Sequence, residues 1–202
     1  MATRGFTGRR PTEASARRLP PGQFETDEFP VLSKGPAPRI DLQRWQFQLS
    51  RGPKPLASWN WHEFNQLPQT TWQGDIHCVT TWSKFDTVWR GVSIDDLLAA
   101  AGIAPPTAFA LALSHDDYDT NVSLADLLGG RAMVATHFGS QPLEAAHGGP
   151  ARLLVPHLYF WKSAKWLKGL KFTERDEAGF WELRGYHMRG DPWRQQRYSD
   201  DA

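Results

Sequence analysis

A chain of 202 residues falls in the size range of one domain and is long enough to close a substantial hydrophobic core. Its 40% hydrophobic and 22% charged residues are ordinary for a soluble protein, and a formal net charge of +1 argues against an extended nucleic-acid or anionic-membrane footprint. The single cysteine excludes an intrachain disulfide, and no cysteine pair exists to hold an iron–sulfur cluster or a structural zinc, so the cytoplasm is the expected compartment.

Residues 1–25 are rich in Arg, Pro, Gly, Ser and Thr and predict a disordered basic arm, with residues 26–202 forming the domain. Residues 1–18 carry a charge of +4 and leave −3 to the rest. The pair Arg9–Arg10 is followed by no apolar core of the kind an export signal needs, and no stretch approaches the roughly 20 apolar residues of a membrane span. The apolar pattern starts at Phe29-Pro30-Val31. Trp45 to Leu49 alternates strictly and predicts a half-buried strand, closed by the turn-rich Ser50 to Pro53. Asn60, three residues before Glu63, predicts the N-cap of a short helix that Pro68 ends. The same signal recurs at Ser93 with Asp96, closing at Gly102, and at Ser123 with Asp126, closing at Gly129. Strand-like runs cover Ile76 to Val79, Phe109 to Leu113, Ala132 to Thr136 and Arg152 to Val155, and another begins at Lys171–Phe172. Short strands mixed with short capped helices predict an α+β fold in a single compact domain, with no glycine-rich dinucleotide loop and no internal repeat.

Cys78 lies at the end of a predicted strand, in Gly74-Asp-Ile-His-Cys-Val-Thr-Thr-Trp-Ser83. On residue type alone it fits a buried small hydrophobe, a nucleophile or a metal ligand. Strand geometry turns His77 to the opposite face, which disfavours both a His77 base for Cys78 and a metal shared by the two. The seven histidines show no spacing that presets a zinc site, and Asp116–Asp117 reads first as a solvated turn. A second stretch, His147 to Trp166, combines Gly148–Gly149, Arg152, Lys162, Ser163 and Lys165. Close backbone approach, a planar guanidinium fork and hydroxyl and ammonium donors suit a phosphorylated cofactor; a hairpin with surface cations carries the same composition.

Taken together, Gly74 to Lys84, Trp89-Arg-Gly-Val-Ser93, His147-Gly-Gly-Pro-Ala-Arg152 and Lys162-Ser-Ala-Lys-Trp166 resemble the molybdopterin-binding domain of the sulfite-oxidase family, in the family's order. The likeness runs over about residues 29–198 and takes in Gly179-Phe-Trp-Glu182, Gly185-Tyr-His187 and Gly190-Asp-Pro-Trp193. Its flavour is that of the small stand-alone bacterial members. The resemblance implies the mixed-sheet fold of that family, a Mo-molybdopterin cofactor with one pyranopterin, and Cys78 as the protein ligand to molybdenum. Soft thiolate suits a metal already bound by dithiolene sulfur.

By the same resemblance the cofactor is held by Phe29, Pro30, Val31, Cys78, Ser114, His147, Arg152, Ser163, Ala164 and Lys165. The segment after Phe29 reads Leu32-Ser-Lys-Gly35, where relatives often place Arg or His. Trp82, Asp117 and Tyr118, beside Cys78, are the candidate catalytic residues of the substrate face. The turn after Cys78 offers Val-Thr-Thr-Trp instead of the basic groups that would receive a sulfite dianion, which favours oxygen-atom transfer from an S- or N-oxide to the metal. The alternatives are sulfite dehydrogenase or oxidase activity, and a non-catalytic molybdopterin-binding or carrier protein, against which the retained Cys78 argues. A small-molecule substrate and a separate electron donor or acceptor protein are expected, since no haem or iron–sulfur motif is present; nucleic acid and a direct membrane span are not.

Overall fold

The computed structural model describes residues 13–202. Eleven strands follow one another: β1 (Phe24–Glu25), β2 (Gln46–Arg51), β3 (Lys54–Asn60), β4 (Thr70–His77), β5 (Trp82–Ser93), β6 (Phe109–Ser114), β7 (Asp119–Ser123), β8 (Met133–Phe138), β9 (Gln141–Pro142), β10 (Arg152–Leu154) and β11 (Leu167–Thr173). They form two mixed sheets. One runs β1-β5-β8-β10, with β4 on β5 and β9 on β8; the other runs β3-β2-β11-β6-β7. The β1–β5 and β2–β11 pairs are parallel and the remaining pairs antiparallel. Few and short helices accompany the sheets, α1 (Glu13–Ala16), α2 (Trp61–Gln66), α3 (Ile94–Ala101) and α4 (Leu124–Leu127), so the α+β expectation describes the molecule.

The capping signals read from the sequence are made. Asn60 Oδ1 accepts from Glu63 N at 3.0 Å while Glu63 Oε2 accepts from Asn60 N at 2.9 Å, a reciprocal box. Ser93 and Ser123 each accept from the backbone N–H three residues on, at 3.0 and 3.1 Å. Strands were less legible. β5 runs for 12 residues where no strand was predicted, because it lies between β4 and β8 and is buried towards both faces near its ends, so it shows no simple alternation. β3 is an edge strand, which is why Pro55 is tolerated within it.

Alternation along the first sheet divides the core in two. Val92, Val134 and Leu153 enter the main cluster with Phe47, Leu49 and Leu170 of the second sheet and Phe64 and Leu97 of the helices. Their neighbours Met133, Ala135 and Leu154 face the other way, into an aromatic cluster of Trp82, Trp89 and Phe160 that includes Cys78. Arg152 is paired with Ala135 across β10 and β8 and shares this second face. The sheet therefore directs one thiol and one guanidinium to the same side.

Of the basic stretch, residues 1–12 lie outside the described residues; Arg18 bridges Asp75 at 2.5 Å and Asp86 at 2.7 Å, and Phe24–Glu25 extends the first sheet. Among the described residues no helix is long and apolar enough to cross a membrane.

Candidate cofactor site

The β4–β5 hairpin places Cys78. The reversal is closed by Cys78 N–H donating to Trp82 O at 2.9 Å and Thr81 N–H donating to Cys78 O at 3.0 Å. Thr81 takes a φ of 75°, a left-handed conformation that costs a β-branched residue about 1–3 kcal/mol, so strain is concentrated three residues from the thiol. Gln23 Nε2 donates to Cys78 O at 3.1 Å and pins the turn. The buried Sγ accepts from Thr80 Oγ1 at 3.2 Å, and burial pushes the thiol up, opposed chiefly by that hydroxyl. His77 turns away as strand geometry requires: its Nδ1 lies 2.8 Å from Ser83 Oγ and its ring meets Trp193 edge-on at 6.2 Å. Burial drives His77 down to about 4, so it stays neutral and is held apart from the thiol.

Cys78 opens onto a cavity of about 340 Å³. In the same cavity's lining, a short 3-10 turn, Ala145–His147, leads into Gly148 at φ 104°. The His147 ring stacks on Phe29 with centroids 4.0 Å apart and planes at 9°. Arg152, 1% exposed, donates to His147 O at 2.8 Å and Ser163 O at 2.6 Å, and lies over the Phe160 ring at 4.1 Å. Lys165 Nζ donates to Ala146 O at 2.7 Å and Ser33 Oγ at 3.0 Å. Both cations therefore point at neutral oxygens, with no carboxylate partner recorded among the described residues. Burial pushes both pKa values down, Lys165 to about 8. The buried Arg152 and the half-buried Lys165 beside it, neither hydrogen-bonded to a carboxylate among the described residues, form a cationic patch suited to an anion.

Polar atoms left without partners lie around the same place. His147 Nδ1 and Trp82 Nε1 are buried and make no hydrogen bond in the structure, an expensive condition unless a ligand satisfies them. The loop also holds its shape tightly: a Cβ on Gly149 would lie 1.9 Å from Leu143 O and 2.9 Å from its carbonyl carbon, backbone atoms that cannot step aside. Gly149→Ala is expected to lower stability by about 2–4 kcal/mol, read as a fall in urea midpoint with unchanged slope. An unshifted midpoint would show that the loop yields.

Most residues expected at the site converge. Cys78, Trp82, Tyr118, Phe29, Pro30 and His147 line the cavity, as do Arg152, Ser163, Ala164 and Lys165. Three do not. Asp117, at φ 60°, projects into solvent with its side chain 95% exposed. Val31 is 53% exposed, and Ser114 sits behind the cavity wall at 1%. The sequence reading missed Phe160, Trp161, Trp181 and Tyr186, which complete the walls. Trp181 and Tyr186 fall in the C-terminal motifs of the resemblance without a role attached to them, and Phe160 and Trp161 were signalled by the density of aromatic residues from Tyr159 onward.

A soft thiol and two cations bonded to carbonyl and hydroxyl oxygens, lining one cavity, form the donor set for a metal carried on a phosphorylated organic cofactor. Residues 34–181 match the family described as the oxidoreductase molybdopterin binding domain, and the chain belongs to that family. It is a molybdopterin-binding oxidoreductase of the sulfite-oxidase type. The chain is 40% identical to the oxidoreductase YuiH of Bacillus subtilis (strain 168), over 91% of this chain and 93% of that one. It is 26% identical, over 75% of its length and 57% of the other, to a protein of Azospira oryzae that bears the name of a protein-methionine-sulfoxide reductase subunit, YedZ1. The crystal structure of the sulfane dehydrogenase SoxCD from Paracoccus pantotrophus shares the fold at a TM-score of 0.60 and 19% identity, over 69% of this chain and 40% of that one.

Proposed function

We propose that the protein binds molybdenum through Cys78 and one pyranopterin, and reduces an S- or N-oxide. The observation that carries the reading is the pairing, within one cavity, of the only thiol with Arg152 and Lys165, whose hydrogen bonds go to neutral oxygens. Bound there, molybdopterin would supply a metal that exchanges an oxygen atom and two electrons with the substrate. Arg152, Lys165 and Ser163 would hold the phosphate, His147 and Phe29 the pterin, and Cys78 the metal. Ser163 Oγ accepts from Val155 N at 2.9 Å, leaving its hydroxyl proton free to donate.

Oxide reduction is favoured over sulfite oxidation by the cavity's charge distribution. Arg152 and Lys165 serve the phosphate end, and the remaining lysine, Lys34, is engaged by Asp116 through its carbonyl at 2.6 Å and its carboxylate at 3.9 Å. Around Cys78 the cavity wall itself is Trp82, Thr80 and Val79, and the nearest guanidinium, Arg197, is spent on Val79 O. The name of the Azospira relative points the same way. The substrate oxygen leaves as water, with protons from solvent and electrons from a separate donor, either a redox protein or a small reductant; a cytoplasmic location belongs to the same reading.

Protein purified from cells that make the cofactor is expected to carry about one molybdenum and one pterin per chain. With a reduced dye it should consume sulfoxides or N-oxides faster than it oxidises sulfite. Metal-free or zinc-loaded protein would sink the cofactor assignment, and sulfite turnover alone would reverse the direction.

The anion end can be tested without the cofactor. Lys165 is charged in the folded protein only below about 8, against 10.5 for an ordinary lysine. Affinity of the cofactor-free protein for inorganic sulfate, whose charge is constant in this range, should fall as pH rises through about 8. The sign for stability is opposite. The unfolded chain binds the Lys165 proton more tightly, so this group makes the empty protein more stable as pH rises from about 8 towards 10.5. Calorimetric titration with sulfate should show no such pH dependence in Lys165→Met.

A further inference from the structure

Lys162 and Glu182 have no place in holding the cofactor, yet they form an ion pair at 2.6 Å with both side chains at 0% exposure. Lys162 Nζ also donates to Asn121 Oδ1 at 2.6 Å, Asn121 O at 3.0 Å and Met188 O at 2.5 Å. One ammonium thereby ties the turn that bears it to β7 and to two points of the C-terminal segment. Glu182 Oε1 in turn accepts from Thr120 Oγ1 at 2.9 Å and from Trp161 Nε1 at 2.8 Å. Trp161 precedes Lys162 in the chain and lines the cavity.

The indole so held is boxed on its other sides. Tyr159 stacks on it at 5.4 Å, Tyr186 meets it edge-on at 5.1 Å, and a Cβ on Gly190 would come within 2.7 Å of its ring. Tyr186 packs against Trp181 at 5.2 Å, and both line the cavity beside Trp161. Trp181 is the residue before Glu182. The carboxylate and ammonium thus sit directly behind a three-membered aromatic wall, each one residue away from a ring that forms it.

Burying two charges costs several kcal/mol per ion, and an apolar pair of the same volume would stabilise the fold at least as well. What an apolar pair would lack is direction: the pair fixes the indole by a hydrogen bond and the C-terminal segment by two acceptors. The same arrangement keeps the Lys162 charge behind the wall and neutralises it with Glu182. The surface offered to substrate is then aromatic, with a face that repels anions and takes up apolar groups.

We propose that Lys162 and Glu182 are positioning residues that set the wall of Trp161, Trp181 and Tyr186, and that this wall selects oxides bearing an apolar substituent over the sulfite dianion. The inference rests on the oxide-reductase reading and names its substrate class. An aryl or alkyl group lies on the wall while the oxide oxygen is turned towards Cys78.

The test compares methyl phenyl sulfoxide with dimethyl sulfoxide in the cofactor-loaded protein, for wild type, Glu182→Gln, the double variant Lys162→Met/Glu182→Gln and Trp181→Leu. The double variant removes both charges together, so no buried charge is left unpaired, and Trp181→Leu probes the wall with the pair intact. The expected result is a rise of about tenfold in KM for methyl phenyl sulfoxide, the loss of one aromatic contact surface. Dimethyl sulfoxide should be affected less, with kcat held and molybdenum content unchanged. The near-ultraviolet circular dichroism of the clamped indole should collapse in the two pair variants while the far-ultraviolet spectrum is kept. A wild-type KM ratio in Trp181→Leu overturns the wall's role. A wild-type ratio and near-ultraviolet spectrum in the double variant overturn the positioning. Wild-type protein that oxidises sulfite and reduces neither sulfoxide brings down the oxide-reductase reading itself.

Discussion

Cys78→Ser is expected to abolish oxide turnover while leaving the pterin bound. Outer-sphere partners of a metal typically contribute about 10–100-fold to affinity or activity, and loss of a direct thiolate ligand should exceed that range. Serine differs from cysteine here by little volume, and its hydroxyl can keep the contact that Thr80 Oγ1 makes with Sγ at 3.2 Å. The turn itself is held by backbone bonds and by Gln23, none of which involves the thiol. The variant should therefore fold, retain Arg152 and Lys165 in place, and copurify with pterin. Turnover with reduced dye measures the first half of this expectation and pterin fluorescence after acid release the second. Retained turnover would remove Cys78 from the metal, and lost pterin would show that the thiol, not the phosphate end, anchors the cofactor.

How much of this could be read beforehand depended on whether the signal was local. Caps are local: Asn60, Ser93 and Ser123 each satisfy a backbone donor three residues away, and all were legible. So was the placement of His77 and Cys78 on opposite faces, which follows from strand geometry. Arg152 was marked as a phosphate ligand by its motif, but its strongest credential, a buried guanidinium with no acid bonded to it among the described residues, is a tertiary fact. β5 escaped because both its ends are buried towards both faces and only its middle alternates. The ion pair of Lys162 with Glu182 joins residues 20 apart through a non-local fold, and composition gave Lys162 the look of a surface or phosphate-binding lysine. Asp117 illustrates the opposite error: next to Asp116, which lines the cavity, its left-handed backbone swings it out to solvent.

Arg152→Met is expected to strip the cofactor from the protein with little change in the stability of the empty chain. In the cofactor-free state the guanidinium is a buried cation facing the carbonyls of His147, Ser163 and, at 3.4 Å, Leu153, together with aromatic rings, a condition that costs several kcal/mol. Methionine removes that cost and fills the volume. Against it stand the carbonyls of His147 and Ser163 deprived of donors, at about 1–3 kcal/mol each, the long contact to Leu153 O, and a cation–π contact of about 2 kcal/mol. Opposed contributions of similar size leave the melting temperature of the empty variant within about 4 °C of the empty wild type. Loading gives a different outcome. Two charge-assisted bonds to phosphate, about 1.5–3 kcal/mol each, correspond to roughly two to four orders of magnitude in affinity. Protein purified from cells that make the cofactor should then contain neither pterin nor molybdenum, in contrast to Cys78→Ser, which keeps the pterin. The two variants separate the site into its ends: Arg152 governs whether the cofactor stays, and Cys78 governs what it does. Pterin retained at one per chain in Arg152→Met would move the phosphate elsewhere, and a large fall in the melting temperature of the empty variant would show the guanidinium to be a structural cation.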